Sequence, residues 1–174
     1  MATKKWPSKR PAPRSSRPLM QGYGLPESTK GLLPWTWAEQ RLTKSHNYWI
    51  STVKPGPAPH TMVVWGLWLD GAFLFSTGSK SRKGRNLAAN TNCVICNENA
   101  AEAVIVEGIA EIADVTVRRE FLKKYQRKYK FDMGSMEKDI LAMKEPVFAI
   151  RPRVVFGLYE KKFVSSATRW KFTN

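Results

Sequence analysis

The sequence predicts a mainly β domain of the α+β class: a small antiparallel barrel, closed or split, flanked by helices. Three observations carry this. About six short β-rich runs are separated by turn signals. Asp70-Gly71 joins two of those runs and is a strong two-residue hairpin signal. No strand–helix–strand alternation occurs of the kind that builds a parallel sheet. At 174 residues and 43% hydrophobic content, the chain suits one domain with a sizeable core.

Residues 1–30 are rich in Pro, Ser, Lys and Arg and lack periodicity. They hold Lys4, Lys5, Lys9, Arg10, Arg14, Arg17 and Lys30 against Glu27 alone. They read as a flexible basic arm, with residues 31–174 as the folded domain. In "TWAEQRLTKS", Thr36 and Glu39 form a capping box that opens a short helix. "NYWISTV" (47–53) reads as a strand and "KPGPAP" as a turn. In "HTMVVWGLWLDGAFLFSTG", the Asp70-Gly71 turn pairs about 60–69 with 72–77. "CVICN" and "AVIVEGIAEIA" supply two more strands, the second bending at Gly108.

In "DVTVRREFLKKYQRKYKF", Asp114 is placed to cap a helix. Val117, Phe121, Leu122, Tyr125 and Tyr129 fall on one side of it at helical spacing. Arg118, Arg119, Lys123, Lys124, Arg127 and Lys128 fall on the other, a solvated basic face with polyanion binding as the sharper alternative. Ser135 is placed to cap a further helix reaching Met143. "VFAIRPRVVFGLYE" is a strand whose Pro152 marks it as an edge or bulged strand. The chain closes on "SATRWKF", a short strand.

The formal net charge is +15, from 29 basic and 14 acidic residues, so the partners to consider are anions: nucleic acid, a membrane surface or a phosphorylated small molecule. No apolar run approaches the roughly 18 residues of a membrane span and the N-terminus lacks the apolar centre of a secretory signal, so a cytoplasmic location is expected. Cys93 and Cys96 form a lone CxxC on a strand, where residues three apart face opposite ways. They read as small buried hydrophobes, and with no second pair they predict no metal site. Trp65 and Trp68 have opposite parity on one run, so opposite facings are expected, each more a packing residue than a ring-stacking one. His60 is expected to be partly exposed.

The stretch "FSTGSKSRKGRNLAAN" puts Lys80, Arg82, Lys83 and Arg85 within six positions. It follows a strand and has helical composition from Arg82 onward. With Ser81 as N-cap, Arg82 and Lys83 occupy the first helical turn, where the backbone N–H groups already create positive potential. A bound anion removes that conflict, and strand, glycine-bearing turn, cap and two cations together compose a phosphate site. Gly84 allows close approach of backbone or ligand. A solvated patch and a nucleic-acid contact stay open beside the phosphate reading.

These residues, followed by "AVIVEGIAEI", resemble the flavin-binding split-barrel family of pyridoxamine 5′-phosphate oxidase, whose relatives include deazaflavin (F420)-dependent reductases. The resemblance spans about Pro34 to Phe172. It implies a six-stranded antiparallel split β-barrel that forms homodimers, with FMN, or alternatively F420, at the interface. It further implies that Arg82 and Lys83 bind the cofactor phosphate, with Ser81, Thr77 and Ser76 assisting. It assigns the ring-lining strand to Met62, Val63, Val64 and Trp65, and brings Arg169 and Trp170 toward the flavin.

Three positions depart from the oxidases proper: Gly66 stands for a lysine, Ala103 for a glutamine, and the tail "SATRWKFTN" replaces an Arg-x-His ending. The substrate-phosphate grip is therefore missing, which argues against vitamin B6 oxidation. The "SATRW" ending and "VVWGLWL" look more like the branch grouped with F420-dependent enzymes. The implied function is an FMN- or F420-dependent oxidoreductase acting on a small organic substrate. A non-catalytic flavin or haem carrier of the same fold is the alternative. A nucleic-acid-binding protein is a third reading, poorly supported because the basic arm offers only Trp6 and Tyr23 for base stacking. No residue is nominated for acid–base chemistry.

Overall fold

The computed structural model describes residues 12–173; the basic residues Lys4, Lys5, Lys9 and Arg10, and Trp6, lie outside that range. The described chain forms nine strands and five α-helices. The strands are β1 (Arg14–Ser16), β2 (Tyr48–Val53), β3 (Pro59–Val64), β4 (Leu67–Leu69), β5 (Ala72–Ser76), β6 (Asn92–Asn97), β7 (Glu102–Ile112), β8 (Val147–Tyr159) and β9 (Thr168–Lys171). The helices are α1 (Trp35–Lys44), α2 (Arg82–Ala89), α3 (Val115–Tyr129), α4 (Ser135–Leu141) and α5 (Phe163–Ser166). All pairings are antiparallel, in the order β1-β9-β8-β7-β6-β2-β3, with β5 carrying β4 and joining β8.

The split originates in β8. Along one edge it pairs with β7; along the other its first half (Val147 to Ile150) pairs with β5 and its second half (Val154 to Gly157) with β9. Pro152 lies at the changeover. There Glu107 of β7 faces Val154 while Gly108 faces Pro152, leaving Arg153 as the extra residue of a bulge. The bend expected at Gly108 is this bulge, and a Cβ at Gly108 would come within 2.5 Å of the Arg151 carbonyl oxygen. The proline thus marks a bulge, and β8 is an interior strand, not an edge.

Burial on two sides explains the continuous apolar run of β5. Phe73 and Phe75 point into the barrel with Tyr48, Ile50, Ile95, Val106, Val155 and Trp170. Leu74 and Ala72 point the other way, under Phe121 and Leu122 of α3 and Ile140 of α4. Burying such side chains contributes about 1.5–3 kcal/mol each, the main favourable term for this fold.

Several local expectations yield to long-range contacts. The 60–69 run is not one strand: β3 pairs with β2, only β4 forms the hairpin with β5, and Asp70 and Gly71 take the positive φ of the turn. The break is at Gly66, where a Cβ would meet the Phe73 ring at 2.2 Å. Because of that break, strand parity does not relate Trp65 to Trp68: Trp65 stacks on Tyr129, and Trp68 packs against Trp35. Helix α1 starts one residue before Thr36 with no side-chain cap, carrying Trp35 into edge contacts with Trp68, Trp170 and Phe172. Ser135 is the first residue of α4 and Gly134, at φ 51°, is its cap, after an Asp132 side chain that accepts from the Gly134 N–H.

Asp114 does cap α3, accepting from the Val117 N–H at 2.9 Å. Two members of its expected solvated face are drawn inward, however. Arg118 is buried and donates to the Ile140 carbonyl at 2.9 Å, tying α3 to α4. Lys128 is half-buried, with its ammonium donating to the Tyr48 hydroxyl (2.9 Å) and the Gly66 carbonyl (3.1 Å).

The described part of the basic arm is docked. β1 pairs with β9, and the Arg17 guanidinium donates to the carbonyls of Ser28, Lys30, Ser165 and Ala167. Among the described residues, no helix is long and apolar enough to cross a membrane.

Candidate functional site

Strand β5 ends at Ser76 and α2 begins at Arg82, so five loop residues turn the chain into the helix. Ser81 is the N-cap, and its Oγ accepts from the Gly84 N–H at 3.0 Å. Thr77 Oγ1 lies 3.0 Å from that Oγ, and the Ser81 N–H donates to the Gly78 carbonyl at 2.9 Å. Ser76 Oγ donates to the Pro146 carbonyl at 3.1 Å, holding the loop against the entry to β8. Gly84 is required by the loop itself, since a Cβ there would come within 2.5 Å of the Gly78 carbonyl oxygen. The close approach it permits is therefore to backbone.

This geometry leaves two cations and two amides open together. The side chains of Arg82 and Lys83 have no acidic or carbonyl partner among the described residues, and the first turn of α2 carries no acidic residue. Their backbone N–H groups are the first two of the helix and have no intrahelical acceptor. Together they fit a phosphate, which takes hydrogen bonds from amides and charged forks alike. Arg85 turns away and donates to the Lys80 carbonyl, which separates it from the clamp.

The buried Asn86 connects this helix to the sheet. Its amide donates to Thr52 Oγ1 of β2 at 2.9 Å, and Thr52 Oγ1 in turn donates to the His60 carbonyl of β3 at 3.4 Å. Two hydrogen bonds thus tie the helix to the strand expected to line a ring. That strand is terminal in the sheet order, so among the described residues its backbone edge facing away from β2 is open. Met62 and Val63 are 45% and 43% exposed, enough for side-chain contact, whereas Val64 points into the core. Asn86 was not among the expected site residues; its signal was an amide within an otherwise apolar helix face.

The structure does not bring Arg169 and Trp170 to this place. Trp170 is 1% exposed and lies against Gly157, where a Cβ would meet its ring at 2.6 Å. Its ring is part of the barrel core. Arg169 pairs with Phe156 near the end of β8, whereas Ser76 pairs with Val147 at its start. Nine residues of strand separate those registers, on the order of 30 Å along the sheet. Within one chain Arg169 is remote from Arg82. Trp65, also expected at the ring, spends its face on Tyr129 at 4.6 Å and its indole N–H on Asn47.

Around Trp65 lies a polar knot that the sequence did not announce. The Tyr129 hydroxyl accepts from the Gly66 N–H at 2.9 Å and has the Gly66 and His46 carbonyls within donating distance, both at 2.8 Å. The Lys128 ammonium sits 4.8 Å from the Tyr48 ring centre and 5.2 Å from that of Tyr129. Burial lowers its pKa from 10.5 to about 8, with the Glu98 carboxylate pulling the other way, and burial raises both tyrosines above their ordinary 10.0.

Between about pH 8 and pH 9 the unfolded chain keeps the Lys128 proton that the folded chain has lost, so stability rises with pH. Above about pH 9 the unfolded chain ionises Cys93 and Cys96, and above pH 10 its tyrosines, while the folded chain holds those protons, so stability falls. Urea midpoints measured from pH 7 to 11 are expected to pass through a maximum near pH 9 in the wild type. In Lys128→Met the rising limb should be absent, and its persistence would show that Lys128 is not the titrating group.

One cavity lies along α2 and another at the β8 bulge. One, about 400 Å³, runs along α2 between Ser79, Gly84 and Leu87 on one side and Ala110, Pro146 and Phe148 on the other. The second, about 590 Å³, opens at the bulge with Thr52, Val94, Glu107 and Arg153 in its wall. Burial pushes the Cys93 thiol up to about 12, while Cys96 is partly exposed on the opposite sheet face, as strand alternation requires. Among the described residues, no three His, Cys, Asp or Glu side chains gather as a metal site would need.

The family pattern described as pyridoxamine 5′-phosphate oxidase matches residues 37–158. The chain belongs to the pyridoxamine 5′-phosphate oxidase family. Its matched region takes in the Ser81–Lys83 clamp, β3 and the β8 bulge, but stops short of β9. No curated protein matches the chain. Solved structures share the family's fold at low identity. An F420 reductase is 21% identical with a TM-score of 0.55, over 67% of this chain and 94% of its own. A conserved hypothetical protein from Mycobacterium tuberculosis is 18% identical with a TM-score of 0.66, over 78% and 90%. A haem-binding protein from Mycobacterium smegmatis is 17% identical with a TM-score of 0.57, over 73% and 55%. What this family member shares with these structures is the fold.

Proposed function

We propose that the protein is a cytoplasmic oxidoreductase using FMN, or alternatively F420, on a small organic substrate. The observation that carries this reading is the α2 terminus, where Arg82, Lys83 and two free amides converge, tied through Asn86 and Thr52 to the open edge of β3. When bound, the cofactor supplies the hydride chemistry. The chain's own part is to hold the phosphate with Arg82 and Lys83 and to set the ring against the backbone of Met62, Val63 and Val64. Gly66 and Ala103 leave this chain without the charged and amide groups of the oxidases proper, so pyridoxine phosphate turnover is not expected.

The reading includes a homodimer with the cofactor at its interface. One row across the outer sheet face runs Val63, Trp49, Cys96, Ile105 and Phe156, all apolar. Trp49 is 47% exposed, so the row is half-open to solvent and suited to burial against a second copy.

Absorbance titration with FMN and with F420 tests the proposal, followed by turnover against quinones and enones. Saturable binding at micromolar or lower Kd, with the complex sedimenting as two chains of 19.8 kDa each, is the expected result. Bound flavin without turnover of any substrate would make the protein a carrier. A haem Soret band with no flavin binding would overturn the oxidoreductase reading.

A further inference from the structure

Three cations crowd one face of the β1–β9 edge. Register places Arg14 directly opposite Lys171 and Ser16 opposite Arg169, and positions two apart share a face. Like charges directly opposite destabilise a strand pair. β1 makes only three such pairings, and one of them is this repulsive one. Arg169 uses its Nε on Ser16 Oγ at 3.1 Å, which leaves its two terminal nitrogens available. Neither Arg14 nor Lys171 has a side-chain partner among the described residues. With Pro13, Ser15 and Ser16 these three residues line a cleft of about 560 Å³ that has no acidic residue in its wall.

We propose that this cleft is a second anion site, which binds a small polyanion whose phosphate or carboxylate groups engage Arg14, Arg169 and Lys171 together. Guanidinium forks bind both kinds of group in bidentate fashion, and an anion between Arg14 and Lys171 converts the repulsive pair into a bridged one. The cleft's volume is that of a small molecule. Among the described residues its lining has no aromatic ring on which a base would stack, which disfavours single-stranded nucleic acid. Within one chain Lys171 and Arg169 register with Val154 and Phe156 of β8, while the β5 end that leads into the α2 clamp registers with Val147, and the inference does not depend on the flavin reading.

The test uses the full chain carrying Arg82→Gln and Lys83→Gln, so that the α2 clamp is not counted. Inorganic triphosphate and tetraglutamate are titrated calorimetrically at fixed ionic strength. Saturable binding of either is expected, weakened roughly tenfold or more when Arg14→Gln and Lys171→Gln are added. Triphosphate binding alone identifies a phosphate ligand, and tetraglutamate alone a carboxylate one. Should the double change release β1, the single Lys171→Gln variant is expected to show the same direction. Binding of neither probe, binding indifferent to Arg14 and Lys171, or equal competition by chloride overturns the proposal. So does tighter binding of single-stranded DNA through the same residues. FMN titration of the wild type reads the α2 site independently, so either site can fail without the other.

Discussion

Replacing Arg82 and Lys83 together by glutamine is expected to weaken FMN binding by at least about 100-fold while leaving riboflavin binding nearly unchanged. Each side chain offers a charge-assisted contact to the phosphate, and a hydrogen bond to a charged group contributes roughly 1.5–3 kcal/mol, or about 10- to 150-fold in Kd. Neither side chain has a partner among the described residues, so removing them costs the fold little. Riboflavin has the ring without the phosphate, which makes it the control for ring contacts along β3. Parallel fluorescence titrations of the two ligands read the difference directly. Equal losses for both would mean that the variant has disturbed the loop from Thr77 to Ser81, and equal retention would remove the clamp from the site altogether.

The second large effect is on stability. Trp170→Ala is expected to destabilise the protein by about 3–5 kcal/mol, because it empties the space between Gly157, Trp35 and the barrel interior. That is a large part of the 5–15 kcal/mol typical of a domain, so much of the variant would be unfolded at elevated temperature. Urea unfolding measures the loss. The milder Trp170→Phe keeps an aromatic ring in the core and is expected to bind FMN within about twofold of wild type. A selective loss of flavin affinity in a stably folded Trp170→Phe would instead return Trp170 to the cofactor.

The outcome at these residues separates two kinds of information. The capped turn before α2, the proposed phosphate clamp, was legible because everything that forms it is close in sequence. Ser81 caps a helix three residues on, the two cations follow at once, and Gly84 packs on the loop just before it. Asp114 at the head of α3 and Asp70-Gly71 in the hairpin were legible for the same reason. Capping and turn formation are local, and local chemistry survives folding unless a stronger distant contact opposes it.

Where such a contact exists, the local pattern lost. Lys128 and Arg118 belong by spacing to a solvated helical face. Yet the first reaches Tyr48, 80 residues away, and the second caps the end of α4 at Ile140. Thr36 has its capping box, but the helix begins two residues early, at Trp35 with Pro34 at the cap. The 60–69 run has continuous β propensity, and only the Phe73 ring beneath Gly66 and the Tyr129 hydroxyl beside it divide it between two partners.

By itself, then, the sequence determined the strand-rich class, the hairpin, the caps at Ser81 and Asp114 and the cation-bearing turn before α2, because propensity, periodicity and charge act over a few residues. Tertiary structure alone decided that β8 would fork at Pro152, that Trp170 would be core, and that Arg169 would join Arg14 at the far edge of the sheet. Those outcomes depend on which distant segments share the limited space of the core and which strand edges remain to be paired, and no local preference encodes either.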